Sequence, residues 1–198
     1  MKWQAIEKRL EAKGIAIFTV SEFRRVMELS ETAAQKLLER YAQRGLLTRL
    51  KQGMYIVTDN SPSSFALSNR LYRPSYVSFE SALSYYGLIP ETVYAVTAAS
   101  TKPTRNFAVA GKAFIYHKIK ECAYTGYAPT RMGGEVILLA SPEKAVVDYL
   151  YLVNLGKKPL NERLDLKGLN HQEIVASTEV FRRASFSRWV QHDILSEY

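Results

Sequence analysis

The sequence has little that would cross-link, anchor or export it. Cys122 is its one cysteine among 198 residues, which excludes an intramolecular disulfide and a zinc site built from cysteines alone. The longest aliphatic run, Val136 to Ala140, is far shorter than the roughly 20 residues of a membrane-spanning helix. The first residues include acidic side chains and lack the apolar stretch of a signal peptide. We therefore expect a cytoplasmic protein with no membrane partner.

Acidic residues are also scarce relative to basic ones. The chain has 27 Lys and Arg against 19 Asp and Glu, a net charge of +8, and this balance favours a polyanionic partner. With 47% hydrophobic and 12% aromatic residues, the chain can bury a core and is not expected to be disordered. Its length suits one large domain or a small domain followed by a medium one.

The first residues alternate between helical and extended patterns. Trp3, Ile6 and Leu10 recur at helical spacing and predict a short amphipathic helix. The segment IAIF reads as a brief strand. Thr19 and Glu22 then have the spacing of a capping box, which predicts that a second helix starts near residue 20.

A third helix and a hairpin complete this region. Ser30 is the predicted N-cap of the helix, whose inward positions are Ala34, Leu37, Leu38 and Tyr41. Gly45 ends it, and the segments LLTRL, KQG and MYIV read as a strand, a turn and a return strand. This order predicts a winged helix-turn-helix domain over residues 1–60.

The side of the third helix away from its apolar stripe is polar, as expected of a DNA-reading helix. A helix fits the major groove, where Gln pairs with adenine edges and Arg or Lys with guanine, while a wing reaches the backbone. Residues 1–60 carry 11 basic and 7 acidic side chains, a net of +4. The candidate DNA-binding residues are Thr32, Gln35, Lys36 and Arg40 on the helix, and Arg49 and Lys51 in the hairpin. Two alternatives stay open: winged helices also bind proteins, and this face could be a solvated one on which Glu31 and Glu39 would repel phosphate.

A second domain is predicted over residues 64–198, after the turn-rich segment TDNSPSSF. It should begin with a helix in SFALSNRLY, followed by a helix capped by Ser78 and closed by Gly87. Strand-like runs follow in TVYAVTAA, FAVAG, AFIYHKI and EVILLA. Ser141 and Pro142 then start another helix. The fold class is therefore α+β, a winged helix followed by a mixed α/β domain.

A basic segment of this domain extends the candidate DNA-binding set. Between Thr97 and Arg131 six basic residues face one acid, a net of +5. If these side chains share a face, Lys102 and Arg105 lengthen the track that contacts phosphates. The alternative is a solvated strand edge, because lysines on edge strands block aggregation.

The residue patterns of common enzymes are missing. The three histidines, His117, His171 and His192, lack the spacing of metal ligands. Glu143 and Asp148 lie about 140° apart on one helix, so they do not form a carboxylate pair; a cap or a salt bridge with a neighbour suits Asp148 better. We therefore expect no catalytic residue, no cofactor and no metal site.

The order of several short segments resembles the AbiEi antitoxin family of abortive-infection toxin/antitoxin systems. The segments are RGLLTRLKQGMYIV, YVSFESALSYYGLIPET, TKPTRNF and LLASPEKAVVDYLYL, and the likeness runs from roughly residue 21 to residue 152. The resemblance implies a regulator that represses its own operon through the N-terminal domain. It further implies that the second domain counters a nucleotidyltransferase-like toxin without forming a stable complex with it.

These observations predict a DNA-binding transcriptional repressor and antitoxin whose partner is double-stranded DNA, in repeats of its own promoter. One alternative is a stand-alone winged-helix regulator that has no toxin partner. The other, from a different class, is an enzyme that acts on nucleic acid.

Overall fold

Two units, residues 1–63 and 64–198, make up the chain. The computed structural model describes residues 1–60, 62–109 and 111–197. Ser61 in the predicted linker and Ala110 in the predicted strand FAVAG lie outside the described residues. The fold class is α+β, as the sequence predicts.

The first unit is a three-helix domain with a small antiparallel sheet. Its elements are α1 (Trp3–Ala12), β1 (Ile17–Thr19), α2 (Val20–Met27), α3 (Glu31–Gln43), β2 (Leu47–Lys51) and β3 (Met54–Val57). The strand order is β1-β3-β2, with β3 antiparallel to both neighbours. The three helices and the hairpin occur in the order that the sequence predicts for a winged helix-turn-helix.

Local side-chain bonds fix the helix starts in this unit. The Glu22 backbone N–H donates to Thr19 Oγ1 at 3.2 Å, and the Thr19 N–H donates to Glu22 Oε2 at 2.7 Å, which confirms the capping box. Ser30 Oγ accepts from the Ala33 N–H at 3.3 Å at the start of α3. The helices then bury Phe23, Leu38 and other apolar side chains in one core. Each cap satisfies helix N–H groups that would otherwise have no partner.

The second unit is built on a six-stranded mixed sheet. Its elements are α4 (Ser64–Leu71), β4 (Ser75–Val77), α5 (Glu80–Tyr85), β5 (Val96–Ser100), β6 (Arg105–Val109), β7 (Lys112–Lys118), β8 (Tyr127–Met132), β9 (Glu135–Ala140), α6 (Pro142–Asn154), α7 (His171–Glu179) and α8 (Ala184–Trp189). Short 3₁₀ helices lie at Glu121–Ala123 and Leu195–Glu197, and a π-helical turn lies at Val190–Ile194. The strand order is β6-β7-β5-β4-β9-β8. The β4–β9 and β5–β7 pairs are parallel, and the other pairs are antiparallel.

Helices lie on both faces of this sheet, as the strand register shows. Tyr76 pairs with Ala99 and Val77 with Ala98, so their side chains project to opposite faces. The Tyr76 hydroxyl donates to Asp148 of α6 at 2.8 Å. On the other face, the Tyr116 hydroxyl, which β7 places in register with Ala98, donates to the Ser68 carbonyl of α4 at 2.8 Å. The unit is therefore a helix–sheet–helix sandwich.

A charged pair lies at the centre of the α6 face. Lys144 is 1% exposed and Asp148 0% exposed, and their side chains form an ion pair one helical turn apart. Tyr76 and Ser78 each donate a hydroxyl to Asp148 Oδ2 at 2.8 Å. The Lys144 ammonium also lies 4.7 Å from the centroid of the Phe181 ring. Of the two roles expected for Asp148, a cap or a salt bridge, the structure shows the salt bridge, and it adds that the pair is buried.

The predicted cap at Ser78 is wrong. The N-cap position of α5 is occupied by Phe79, at φ 55° and ψ −142°, while the Ser78 hydroxyl turns away to Asp148. Thr97 holds the junction, since its Oγ1 donates to the Ser78 carbonyl at 2.7 Å and accepts from the Ser81 N–H at 2.9 Å. These tertiary contacts outcompete local capping. The strands β4 and β8 were not predicted, whereas the cap at Ser141 is confirmed.

Candidate nucleic-acid interface

The polar face of α3 is fully accessible in the first unit. The 13 residues of α3 span about 20 Å. Its buried positions are Ala34, Leu38 and Tyr41, and its exposed residues include all four of the predicted candidates, Thr32, Gln35, Lys36 and Arg40. Thr32, Gln35 and Lys36 lie in the N-terminal half, which is the part of a recognition helix that contacts base edges.

Arg40 differs from the other three candidates because its guanidinium packs against the buried ring of Tyr41. Its guanidinium carbon lies 5.0 Å from the Tyr41 ring centroid, and Nη2 donates to the Tyr41 hydroxyl at 3.4 Å. That hydroxyl donates in turn to the Met1 carbonyl at 2.7 Å. The guanidinium of Arg44 lies 6.0 Å from the same ring. The two arginines thus form a basic ridge along one edge of the exposed face, at the C-terminal end of α3.

The turn between α2 and α3 reduces the acidic charge that would face phosphate. Arg24 of α2 forms an ion pair with Glu31 of α3 at 3.6 Å. Both side chains are well exposed, so the pair adds little stability. It does place the Arg24 guanidinium beside Glu31, which is one of the two acidic residues expected to repel phosphate.

The hairpin of β2 and β3 is fixed to the helix-turn-helix. Gly53, at φ 72°, makes the turn, and its carbonyl accepts from the Val20 N–H at the start of α2 at 3.1 Å. Arg49 is exposed and Lys51 half-buried. Both belong to β2, where a register shift separates them. The hairpin therefore has the position of a wing and carries two basic side chains on one strand.

Residues 6–58 match the family model described as transcriptional regulator, AbiEi antitoxin. The resemblance found in the sequence is confirmed over this region, which holds α2, α3 and the wing. No curated protein matches the chain. The AbiEi match ends at the close of the first unit and does not include Lys102 or Arg105.

Those two candidates lie beside aromatic rings in the second unit. Lys102 precedes β6, and its ammonium is 5.6 Å from the centroid of the Tyr72 ring. Arg105 is the first residue of β6, and its guanidinium carbon is 5.3 Å from the centroid of Phe107. Both cations are exposed. The contact between these two rings was not predicted from the sequence: Phe107 ends the segment TKPTRNF, but Tyr72 lies well before it in the chain and only the fold brings the two rings together.

The wider basic segment does not form one track. β6 and β8 are the two ends of the sheet, so Arg131 of β8 lies five strand spacings, roughly 24 Å, from Arg105. Lys120 donates to the Phe181 carbonyl at 2.6 Å, and Lys112 to Ser64 Oγ at 2.7 Å. Lys102 and Arg105 remain together at the β6 end of the sheet.

The described residues offer neither a metal site nor a membrane-spanning helix. Within residues 1–60, 62–109 and 111–197, no group of three or more His, Cys, Asp and Glu side chains could hold a metal ion. In the same part of the chain, no helix has the length and apolar character to cross a bilayer. His117 is half-buried, and burial together with the neighbouring Lys158 lowers its pKa to about 4. The Phe79 ring packs edge-on against the imidazole of His117, with the two ring centroids 4.9 Å apart. His117 is therefore packed against an aromatic side chain.

Proposed function

We propose that this protein is a cytoplasmic, AbiEi-type transcriptional repressor that binds double-stranded DNA in repeats of its own promoter. The observation that carries the proposal is the polar face of α3 beside a wing fixed to α2, in the region that matches transcriptional regulators. The net charge of this region favours a polyanion. A protein-binding winged helix would need no such basic ridge.

The proposal divides the candidate residues by the kind of contact they make. Thr32, Gln35 and Lys36 read base edges in the major groove, where Gln is suited to adenine and Lys to guanine. Arg40 is held by Tyr41 at the edge of the helix, so it contacts the backbone at the rim of the groove. Arg49 and Lys51 of the wing contact the phosphates of the adjacent segment. Base contacts give specificity, and phosphate contacts fix the register.

Gln35→Ala tests the base-reading part. It should cost roughly 1–3 kcal/mol on a promoter fragment and little on random duplex at the same salt concentration. Gln4→Ala, an exposed change on α1, is the matched control and should leave both affinities unchanged. Equal losses on both duplexes would contradict base reading.

Arg49→Gln and Lys51→Gln test the wing. Each lost phosphate contact should reduce the slope of log affinity against log salt by about 0.9. The double variant Lys102→Gln/Arg105→Gln tests whether the second unit also contributes phosphate contacts to duplex binding. An unchanged slope in that variant would confine duplex binding to the first unit.

We further propose that the second unit counteracts a nucleotidyltransferase-like toxin without forming a stable complex with it. The support is the resemblance of the segments between residues 76 and 152 to AbiEi antitoxins. Lys36→Glu places a negative charge on the exposed face of α3 without altering a buried residue. This variant should lose repression and retain protection in cells that express the toxin. Loss of both activities in the folded variant would show that they share a surface.

Two rival functions give different results. A stand-alone regulator would repress its promoter but protect against no toxin, and no toxin gene would neighbour its own. A nucleic-acid enzyme would convert a labelled strand or duplex in the presence of divalent cations. The AbiEi match favours regulation over enzymatic action.

A further inference from the structure

A basic and aromatic surface lies at the β6 end of the second unit. We call it the Tyr72–Phe107 surface and define it by Tyr72, Lys102, Arg105 and Phe107. The two rings are 5.7 Å apart, centroid to centroid, and both are half-buried. Each has a cation near it, Lys102 at Tyr72 and Arg105 at Phe107.

The register of the sheet explains why these side chains meet. Arg105 pairs with Tyr116 and Phe107 with Phe114 in the β6–β7 ladder, so all four project to one face. That face is the one on which α4 packs, and Tyr72 directly follows α4. The Tyr72 ring contacts the Tyr116 ring at 5.1 Å, and Tyr116 is fully buried. Both rings of the surface therefore pack against Tyr116, a residue of the buried core.

Hydrogen bonds hold the surface in place on its outer side. The Tyr72 hydroxyl donates to the Pro103 carbonyl at 3.0 Å, which ties the loop that carries Lys102 to the ring. Thr104 Oγ1 accepts from the Lys118 N–H at 3.0 Å. The two rings and the loop that carries Lys102 thus have defined positions, and a ligand would not have to order them.

The charge around the surface has a single sign in the sequence. Residues 64–79 and 96–118, which supply α4, β4, β5, β6 and β7, contain six basic residues and no acidic one. An anionic partner is therefore complementary to this end of the sheet. Ordinary edge protection accounts for a lysine on an edge strand but not for two partly exposed rings beside the cations.

We propose that the Tyr72–Phe107 surface binds an unpaired nucleic-acid strand. In a duplex the base faces are stacked on one another and only the edges can be reached. In an unpaired strand the bases are free to stack on aromatic rings or on a guanidinium plane while lysine and arginine contact the phosphates. The surface offers both kinds of contact within one short strand. This site belongs to the second unit, whereas the helix and wing to which we assign duplex binding belong to the first.

The decisive measurement compares labelled oligothymidine and oligouridine with a random duplex of equal length, each bound to the full chain. Tyr72→Leu and Phe107→Leu keep apolar bulk and remove the flat ring. Each should weaken binding of the unpaired strands about fivefold or more and leave the duplex nearly unaffected. Tyr94→Leu is the control, since Tyr94 is 84% exposed elsewhere in the unit.

A second pair of variants does not touch buried packing. Lys102→Gln and Arg105→Gln should each reduce the salt slope for an unpaired strand by about 0.7, whereas Lys167→Gln, a change at another exposed lysine, should not. The Lys36→Glu chain should still bind the unpaired strands, so failure of the duplex proposal would leave this result intact. Tighter binding of oligouridine than of oligothymidine would indicate that RNA is the ligand, and the reverse that it is single-stranded DNA.

Three results would overturn the proposal. Equal weakening of duplex and unpaired strands by the glutamine variants would make the surface an extension of the duplex track. Folded leucine variants that bind all strands normally would leave the rings as packing alone. Equally tight binding of polyglutamate would show a general polyanion surface with no base contact.

Discussion

Removing one member of the buried Lys144–Asp148 pair should destabilise the second unit strongly. Asp148→Asn keeps the size of the side chain but leaves the Lys144 ammonium, with a side chain 2% exposed, without a counter-ion. Loss of one partner of a buried pair costs about 3–5 kcal/mol, because the remaining charge is neither paired nor hydrated. Lys144→Met leaves the buried Asp148 carboxylate with two hydroxyl donors and no counter-ion. It should lower the free energy of unfolding by a similar amount. The double variant should cost about 1–3 kcal/mol less than the sum.

The chain allows the two units to be followed separately. Its two tryptophans are Trp3 in the first unit and Trp189 in the second. In a Trp3→Phe background, the emission of Trp189 during urea unfolding reports on the second unit alone. With a slope of about 2 kcal/mol per molar urea, the single variants should lower the midpoint by roughly 2 M.

The control is the reciprocal background, Trp189→Phe, in which the transition of Trp3 should not move. Strictly additive effects of the two changes would refute the reasoning, because they would show that the charges do not depend on each other. So would a midpoint shift below about 0.5 M in both single variants, since a charge that tolerates the loss of its partner is hydrated.

Three further changes test other features. Thr19→Ala should destabilise the first unit by about 1–2 kcal/mol, more than Ser30→Ala, because Thr19 belongs to a part-buried capping box with Glu22 whereas the cap bond of Ser30 is single and exposed; equal losses in urea unfolding would contradict this. Gly126→Ala puts a Cβ 2.9 Å from Lys144 Cγ at φ +72°, so it should cost about 2 kcal/mol, and more than Gly133→Ala, which meets only the backbone penalty. The pKa of His117 is lowered to about 4 in the folded chain, so the unfolded chain binds more protons between pH 6.5 and 4 and stability falls on acidification through that window. His117→Gln should reduce this fall in unfolding measurements at pH 7 and 5, whereas His192→Gln should not.

The first unit was predictable because its boundaries are set locally. Thr19, Glu22 and Ser30 bond to backbone groups three residues away, and such bonds are visible in a sequence. The helical period likewise shows which side of α3 is exposed. The bond from the Tyr41 hydroxyl to the Met1 carbonyl, which fixes the ring that Arg40 contacts, was not predictable, since it joins residues forty apart in the sequence.

The second unit was predictable only in part, because its decisive contacts are distant. Ser78 has the local context of a cap, yet its partner Asp148 lies 70 residues away. β4 has only three residues, too few for a strand period to be recognised. β8 contains Pro129, which argues against a strand within a sheet, but β8 is an edge strand, where proline is tolerated. The Tyr72–Phe107 contact depends on the same topology.

The strand order has a consequence for synthesis on the ribosome. The first unit closes its sheet when β3 is complete, from neighbours in a short stretch of chain, so it can fold as soon as it leaves the exit tunnel. In the second unit β4 lies between β5 and β9, and β9 is made last among the strands. Between the end of β4 at Val77 and the end of β9 at Ala140 the ribosome adds 63 residues, which takes roughly 3–13 s at 5–20 residues per second. During that interval β4 has its β9 side uncovered, while a finished winged helix is already tethered to the nascent chain.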